Sequence, residues 1–297
     1  MKQNPIPNSM KAWLLAARPK TLTAASVPVM LGCALAYIYG HLQAVPAILC
    51  FLFAYLMQID ANFINDLYDF LKGTDREDRL GPERACAQGW ITVSAMKKGI
   101  LITTLLAACC GLCLLTYGGW EMIPVGLACI LFAFLYTAGP YPLAYHGWGD
   151  ILVLVFFGFV PVGCTYYVMG HGWNTAVTMA SLACGLTIDT LLMVNNFRDR
   201  DQDRKSGKKT LVVRLGAKSG LILYFLLGLV SCWCCFYFIT LGKPLAAILP
   251  QIYLLPHILT TMKMARIHQG KALNRILGET SRNILIFGML LTIGLML

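Results

Sequence analysis

Two asparagine–aspartate pairs recur at one spacing. Asn65 stands four residues before Asp69, and Asn195 stands four before Asp199; each residue lies 130 positions from its counterpart. Residues four apart stack on one helix face, so each pair aligns an amide oxygen with a carboxylate. Asp66 adds an acid three residues before Asp69, and Asp203 extends the second stripe. Asp75 lies past Gly73, in a turn able to fold it back. Two such stripes facing each other make a strongly negative mouth. Crowded carboxylates repel unless a cation sits between them. Hard oxygen donors suit Mg²⁺, which commonly takes one or two carboxylates plus substrate phosphate oxygens. The metal candidates are Asp66, Asp69, Asp75, Asp199 and Asp203, with Asn65 and Asn195 beside Asp69 and Asp199 as the catalytic core.

Bases are interleaved with these acids. Lys72, Arg79 and Arg84 follow the first motif; Arg198, Arg204, Lys208 and Lys209 surround the second. A site for a metal alone does not need them, whereas a site for a metal and a diphosphate does. A guanidinium grips phosphate oxygens with a planar fork. The expected diphosphate ligands are Lys72, Arg79, Arg84, Arg198 and Lys208. Glu77, Asp78, Arg200, Asp201 and Lys205 read as ordinary solvated charges.

The elements that must position these residues are apolar. The chain has 297 residues, 58% of them hydrophobic and 13% charged. Soluble domains carry about 25% charged residues. Apolar stretches lie near 21–39, 46–64, 99–117, 122–138, 151–169, 176–194, 220–240, 245–262 and 283–297. Runs of ~17–25 residues cross a ~30 Å hydrocarbon core as helices, and they are too continuously apolar for barrel strands. The reading is an all-α polytopic membrane protein of nine spans. It forms one domain over 1–297, built as a parallel pseudo-repeat with its first motif at 62–89 and its second at 195–216.

Of the 24 Lys and Arg residues, only Lys243 falls outside the N-terminal segment and the second–third, sixth–seventh and eighth–ninth connections. The positive-inside rule then puts the N-terminus and both motifs in the cytoplasm. The net charge of +10 is thus a topology signal, and no nucleic-acid partner is expected. The first apolar run, with Ala34-Leu35-Ala36 behind it, resembles a signal peptide but is long for one and is read as a retained helix. The twelve cysteines lie mostly within spans and match no paired zinc spacing; they read as small apolar residues.

Asp60 and Asp189 lie one to two turns deeper in the second and sixth spans. A carboxylate at the membrane centre costs about 2.5–3.5 kcal/mol on insertion scales, so both are expected to face a polar cavity, in a structural or a substrate role. Tyr136, Tyr141 and Tyr145 gather at the end of the fourth span, and Asp150 opens the fifth. Each tyrosine reads equally as a ring that steadies a cation or as an interfacial belt residue. Asp150 reads as a helix cap or a site residue, and His146 as a further catalytic candidate.

At these residues the chain resembles the UbiA superfamily of intramembrane aromatic prenyltransferases, over nearly its whole length. Four segments carry the likeness: ARPKTLTAASVPVMLG at 17–32, NDLYDFLKGTD at 65–75 with GPERACAQG at 81–89, YTAGPYPLAYHGWGD at 136–150, and NNFRDRDQDRKSGKKTLVVRLG at 195–216. Within the superfamily it is most similar to the 1,4-dihydroxy-2-naphthoate polyprenyltransferases of menaquinone synthesis. The resemblance implies nine helices around a central cavity with a cytoplasmic cap. It implies two Mg²⁺ ions holding a polyprenyl diphosphate through Asn65, Asp66, Asp69, Asp75, Asn195, Asp199 and Asp203. Some relatives lack an acid at the Asp66 position, which ranks it below Asp69 and Asp199.

The implied reaction is prenyl transfer to a naphthoate ring with loss of CO₂ and diphosphate, giving a demethylmenaquinone. The implied partners are a polyprenyl diphosphate, an aromatic acid and the lipid bilayer. Tyr136, Tyr141, Tyr145 and Asp150 are the candidates for the acceptor and prenyl pocket. Three other readings stay open: a UbiA-type enzyme for another ring such as 4-hydroxybenzoate, a lipid phosphotransferase, and a cation transporter with an acidic mouth.

Overall fold

The computed structural model describes residues 5–73 and 79–297, and every regular element among them is helical. The first helices are α1 (Met10–Ala17), α2 (Leu22–Ile38), α3 (Ala44–Leu71), α4 (Val93–Gly118) and α5 (Met122–Thr137). They are followed by α6 (Gly149–Gly170), α7 (Thr175–Lys205), α8 (Ala217–Leu241), α9 (Pro244–Ile267) and α10 (Leu273–Met296).

Seven of these, α3, α4 and α6 to α10, are long and apolar enough to cross a membrane. The bent pair α1–α2, which meets at 58°, makes an eighth if taken together. Among the described residues, α5 is a further, shorter apolar helix, of Met122–Thr137. The first expected span, 21–39, is α2, and α1 joins it across a bend where Arg18 takes a left-handed conformation (φ 52°) before Pro19. The fourth, α5, has 16 residues, about 24 Å at 1.5 Å per residue, short of a ~30 Å core.

Other departures concern helix ends. The second and sixth expected spans stop at 64 and 194, but α3 runs to Leu71 and α7 to Lys205. Both motifs are therefore helical, in the register their spacing requires. The last expected span starts at 283, but α10 begins at Leu273, and Glu279 in its early turns pairs with Lys263 at 2.9 Å and Arg275 at 3.2 Å.

Helix α7 is the central post: 67% of its apolar window is buried, against 17% for α3 and 22% for α4, which face outward. Close approach lets α6 lie on it. A Cβ on Gly158 would stand 2.5 Å from the Ser181 carbonyl and 3.0 Å from Gly185 Cα. Small residues that admit a neighbouring backbone are the usual means of helix packing in lipid. Just beyond, Pro161 has no N–H for the Phe157 carbonyl, and α6 widens into a π turn over Leu154–Phe159.

Candidate active site

The last two turns of α3 present Asn65 and Asp69 to one cavity. Asp66, one residue on, is rotated about 100° around the helix and faces elsewhere. It is 1% exposed, and its carboxylate accepts the N–H groups of Ala85 and Cys86, both at 2.9 Å. It ties the 84–91 segment beneath α3 and does not line the cavity. That segment returns Arg84, which donates to Asp69 at 3.1 Å. Thr137, at the end of α5, donates its hydroxyl to Asn65 Oδ1, and its carbonyl accepts Lys72 Nζ at 2.5 Å.

The facing wall is the last part of α7. Asn195, Asp199 and Asp203 line the same cavity. Arg198 grips Asp199 with both prongs, at 2.7 and 2.6 Å. Its third nitrogen donates to Asn274 Oδ1 at 2.9 Å, and Asn274 in turn donates to the Leu80 carbonyl at 2.8 Å. Lys208 reaches Asp203 at 3.4 Å. The loop between α5 and α6 is held to this wall by Lys209 N–H on the Tyr145 carbonyl at 2.8 Å and by Arg214 on the His146 carbonyl at 2.9 Å.

Tyr145 thereby lies under two ammonium groups, Lys72 at 5.0 Å and Lys208 at 4.8 Å from its ring centre. The two lysines differ in charge balance. Burial lowers the Lys72 pKa below 10.5, and the pull of Asp69 only partly offsets this. Burial also works against Lys208, but Asp203 and Asp69 outweigh it and hold its pKa above 10.5.

The cavity between the walls measures about 440 Å³ and is polar. A second cavity of about 370 Å³ runs on from it, lined by residues such as Val29, Phe132, Phe156 and Phe157. Arg18, Thr21, Asn65, Tyr136, Leu192 and Asn195 line both and mark their junction. Such a pair suits a molecule with an anionic head and an apolar tail.

Most expected site residues converge here. Asn65, Asp69, Lys72, Arg79, Arg84, Tyr136, Tyr145, Asp150, Asn195, Arg198, Asp199, Asp203 and Lys208 all line the polar cavity. Asp66 does not, for the reason given. Tyr141 is 55% exposed and stacks on His146 with ring centres 3.5 Å apart, outside both cavities. Asp75, Glu77 and Asp78 lie outside the described residues. Asp60 faces no cavity: Thr103 and Thr104 of α4 donate to its two oxygens at 2.5 and 2.8 Å. The pattern reading missed Arg18. It is brought in by the α1–α2 bend, which Asn62 clamps through the Ala17 carbonyl and the Thr21 hydroxyl, both at 3.0 Å. The Arg-Pro dipeptide before an apolar run is the signal that marks the bend.

Among the described residues, no three His, Cys, Asp or Glu side chains converge to hold a metal ion by themselves. Asp69 instead stands with Asn65 on the α3 wall, and Asp199 and Asp203 with Asn195 on the α7 wall. This donor set fits a hard cation that fills its shell with phosphate oxygens.

The profile of the UbiA prenyltransferase family matches residues 25–288. The chain is 41% identical over 212 residues to a 1,4-dihydroxy-2-naphthoate octaprenyltransferase of Escherichia coli, covering 69% of each chain. It is 37% identical over 238 residues to the enzyme of that name from Haemophilus influenzae, covering 77% of each. A UbiA homolog from Archaeoglobus fulgidus bound to GPP and Mg²⁺ shares the fold, with a TM-score of 0.66 at 15% identity over 94% of this chain and 99% of that one. With its helices built for a bilayer and its two motifs on opposite walls of one cavity, the chain belongs to the UbiA prenyltransferase family.

Proposed function

We propose that the protein transfers a polyprenyl chain from its diphosphate to 1,4-dihydroxy-2-naphthoate, releasing CO₂ and diphosphate and giving the demethylmenaquinone skeleton at its quinol level. The observation that carries this is the joined pair of cavities, one lined by acids and bases, the other by apolar side chains. The acceptor is taken from the relatives, which are named for it. A cation transporter needs a polar path onward, and the second cavity offers phenylalanines instead.

In this reading Asp69, Asp199 and Asp203, with Asn65 and Asn195, hold two Mg²⁺ ions; Asp75 stays in the set on the sequence pattern alone. Asp66 leaves it, because its oxygens hold backbone. Bound there, Mg²⁺ supplies positive charge for the departing diphosphate. Lys72, Arg79, Arg84, Arg198 and Lys208 bind the diphosphate oxygens and stabilise the charge that develops as the allylic C–O bond loosens. The apolar cavity takes the prenyl tail and keeps water from the carbocation. The Tyr136 ring lies at the junction, where that cation forms. The positive-inside pattern puts the polar cavity on the cytoplasmic side, and residues 1–297 act as one domain whose two halves share the site.

The test incubates purified protein with Mg²⁺, a labelled polyprenyl diphosphate and either 1,4-dihydroxy-2-naphthoate or 4-hydroxybenzoate. A prenylated naphthohydroquinone is expected. No product with the naphthoate, from protein that binds the donor, would refute this acceptor.

A further inference from the structure

Helix α6 begins at the junction of the two cavities. A Cβ on Gly149 would stand 3.1 Å from Leu192 Cδ2 and 3.6 Å from the Tyr136 hydroxyl, two residues that line both cavities. The next residue, Asp150, lines the polar cavity, yet both its carboxylate oxygens are shielded from water and have no hydrogen-bond partner. Asp189, on α7, is 5% exposed, and its Oδ1 is likewise without a partner. The start of α6, which carries Asp150, packs on α7, which carries Asp189. Asp189 lines neither cavity.

A buried carboxylate without donors is costly, and the protein supplies none here. By contrast, the acids of the diphosphate end each have a base: Asp69 has Arg84, Asp199 has Arg198, Asp203 has Lys208. Asp150 is therefore not built for phosphate, which would repel it. It is built for a ligand that presents a hydrogen-bond donor to it. At this junction such a ligand is a hydroxylated aromatic ring.

We infer that Asp150 receives a ring hydroxyl of the acceptor and takes its proton as the ring attacks the prenyl carbon. This rests on the prenyl transfer proposed above. The electrons balance as follows. A ring π pair forms the new C–C bond, and the allylic C–O pair leaves with diphosphate. The hydroxyl proton passes to Asp150, and the O–H pair becomes a C=O bond. If the attacking carbon bears the carboxylate, that group is now β to a ketone. Loss of CO₂ returns its C–C pair through the ring to oxygen, which recovers the proton from Asp150.

The test uses the full chain with Mg²⁺ and a polyprenyl diphosphate. D150N is expected to lose about a hundredfold or more in kcat, the usual range for a positioned proton acceptor. Its acceptor KM should rise while its donor KM stays within about twofold, and D150E should recover part of the rate. Equilibrium binding of the fluorescent probe 1-hydroxy-2-naphthoate needs no turnover. Wild type should hold it about ten- to a hundredfold more tightly than its 1-methyl ether, the range for a hydrogen bond to a charged group, and D150N should bind the two alike. A D150N protein that keeps its rate, or that prefers the hydroxyl as wild type does, overturns the inference. Binding that depends on Asp150, without prenylation of the dihydroxynaphthoate, would instead fault the acceptor named earlier and leave this role supported.

Discussion

Asp66→Asn separates a structural carboxylate from a metal ligand inside one motif. The Asp66 oxygens each accept a backbone N–H at 2.9 Å, in a site with 1% exposure and with Arg18 at 3.8 Å. The asparagine keeps one acceptor and turns an NH₂ toward the other N–H. One hydrogen bond to a charged group is worth about 1.5–3 kcal/mol, and the stranded donor adds about 1–3 kcal/mol. The loss should therefore be about 2–4 kcal/mol, between one hydrogen bond and the full sum. It should appear as a thermal midpoint several degrees lower in detergent. Arg84 is carried by the same segment and grips Asp69 at 3.1 Å, so the donor KM should rise as well. The Mg²⁺ concentration for half-maximal rate should not move, because no atom of Asp66 lines the cavity. The assays are thermal unfolding and a Mg²⁺ titration of prenyl transfer. An unchanged midpoint with a tenfold higher Mg²⁺ requirement would refute the assignment and return Asp66 to the metal set.

Asp69→Ala and Asp199→Ala should each abolish turnover while the protein stays folded, as checked by product formation and gel filtration; near-normal rates would sink the diphosphate site. Arg198→Lys loses the two-pronged grip on Asp199 and the bond to Asn274, so donor KM should rise about tenfold or more, as for loss of a charge-assisted hydrogen bond. Alkaline pH should weaken donor binding through Lys72 first. Burial holds its pKa below 10.5, so its charge is lost on the acid side of that value, whereas Lys208 keeps its charge to above 10.5. The stability Lys208 contributes is correspondingly intact below 10.5 and lost only above it. Lys72→Arg should move the fall in donor kcat/KM to higher pH. Gly126 lines the apolar cavity, and a Cβ there meets nothing within 4 Å. Gly126→Leu should thus fold normally, fill tail space, and raise KM for long prenyl diphosphates more than for dimethylallyl diphosphate.

The carboxylate stripes were legible because they are local: a spacing of four places Asn65 with Asp69, and Asn195 with Asp199, whatever surrounds the helix. Asp66 was not legible. Asp69 has neighbours at i−3 and i−4 alike, and only the distant amides of Ala85 and Cys86 decide which side Asp66 takes. Asp60 is a similar case. Its depth was readable, but the α4 register that sets Thr103 and Thr104 against it was not. Among the tyrosines, sequence could not rank Tyr136, Tyr141 and Tyr145, because left-handed turns at Gly139 and Gly147 fold that loop. Asn274 was hidden because the charges around it read as a loop. The long helices themselves were plain, since apolar length is a property of the segment alone.

The three ion pairs Arg84–Asp69, Arg198–Asp199 and Lys208–Asp203 also bear on inhibition. A diphosphate mimic has to open them and strip its own hydration as it enters, which costs much of what it gains. A compound that fills the apolar cavity and ends at the junction, between Tyr136 and Leu192, leaves all three closed. Such a compound needs no charge. It can also partition into the bilayer that the apolar helices cross.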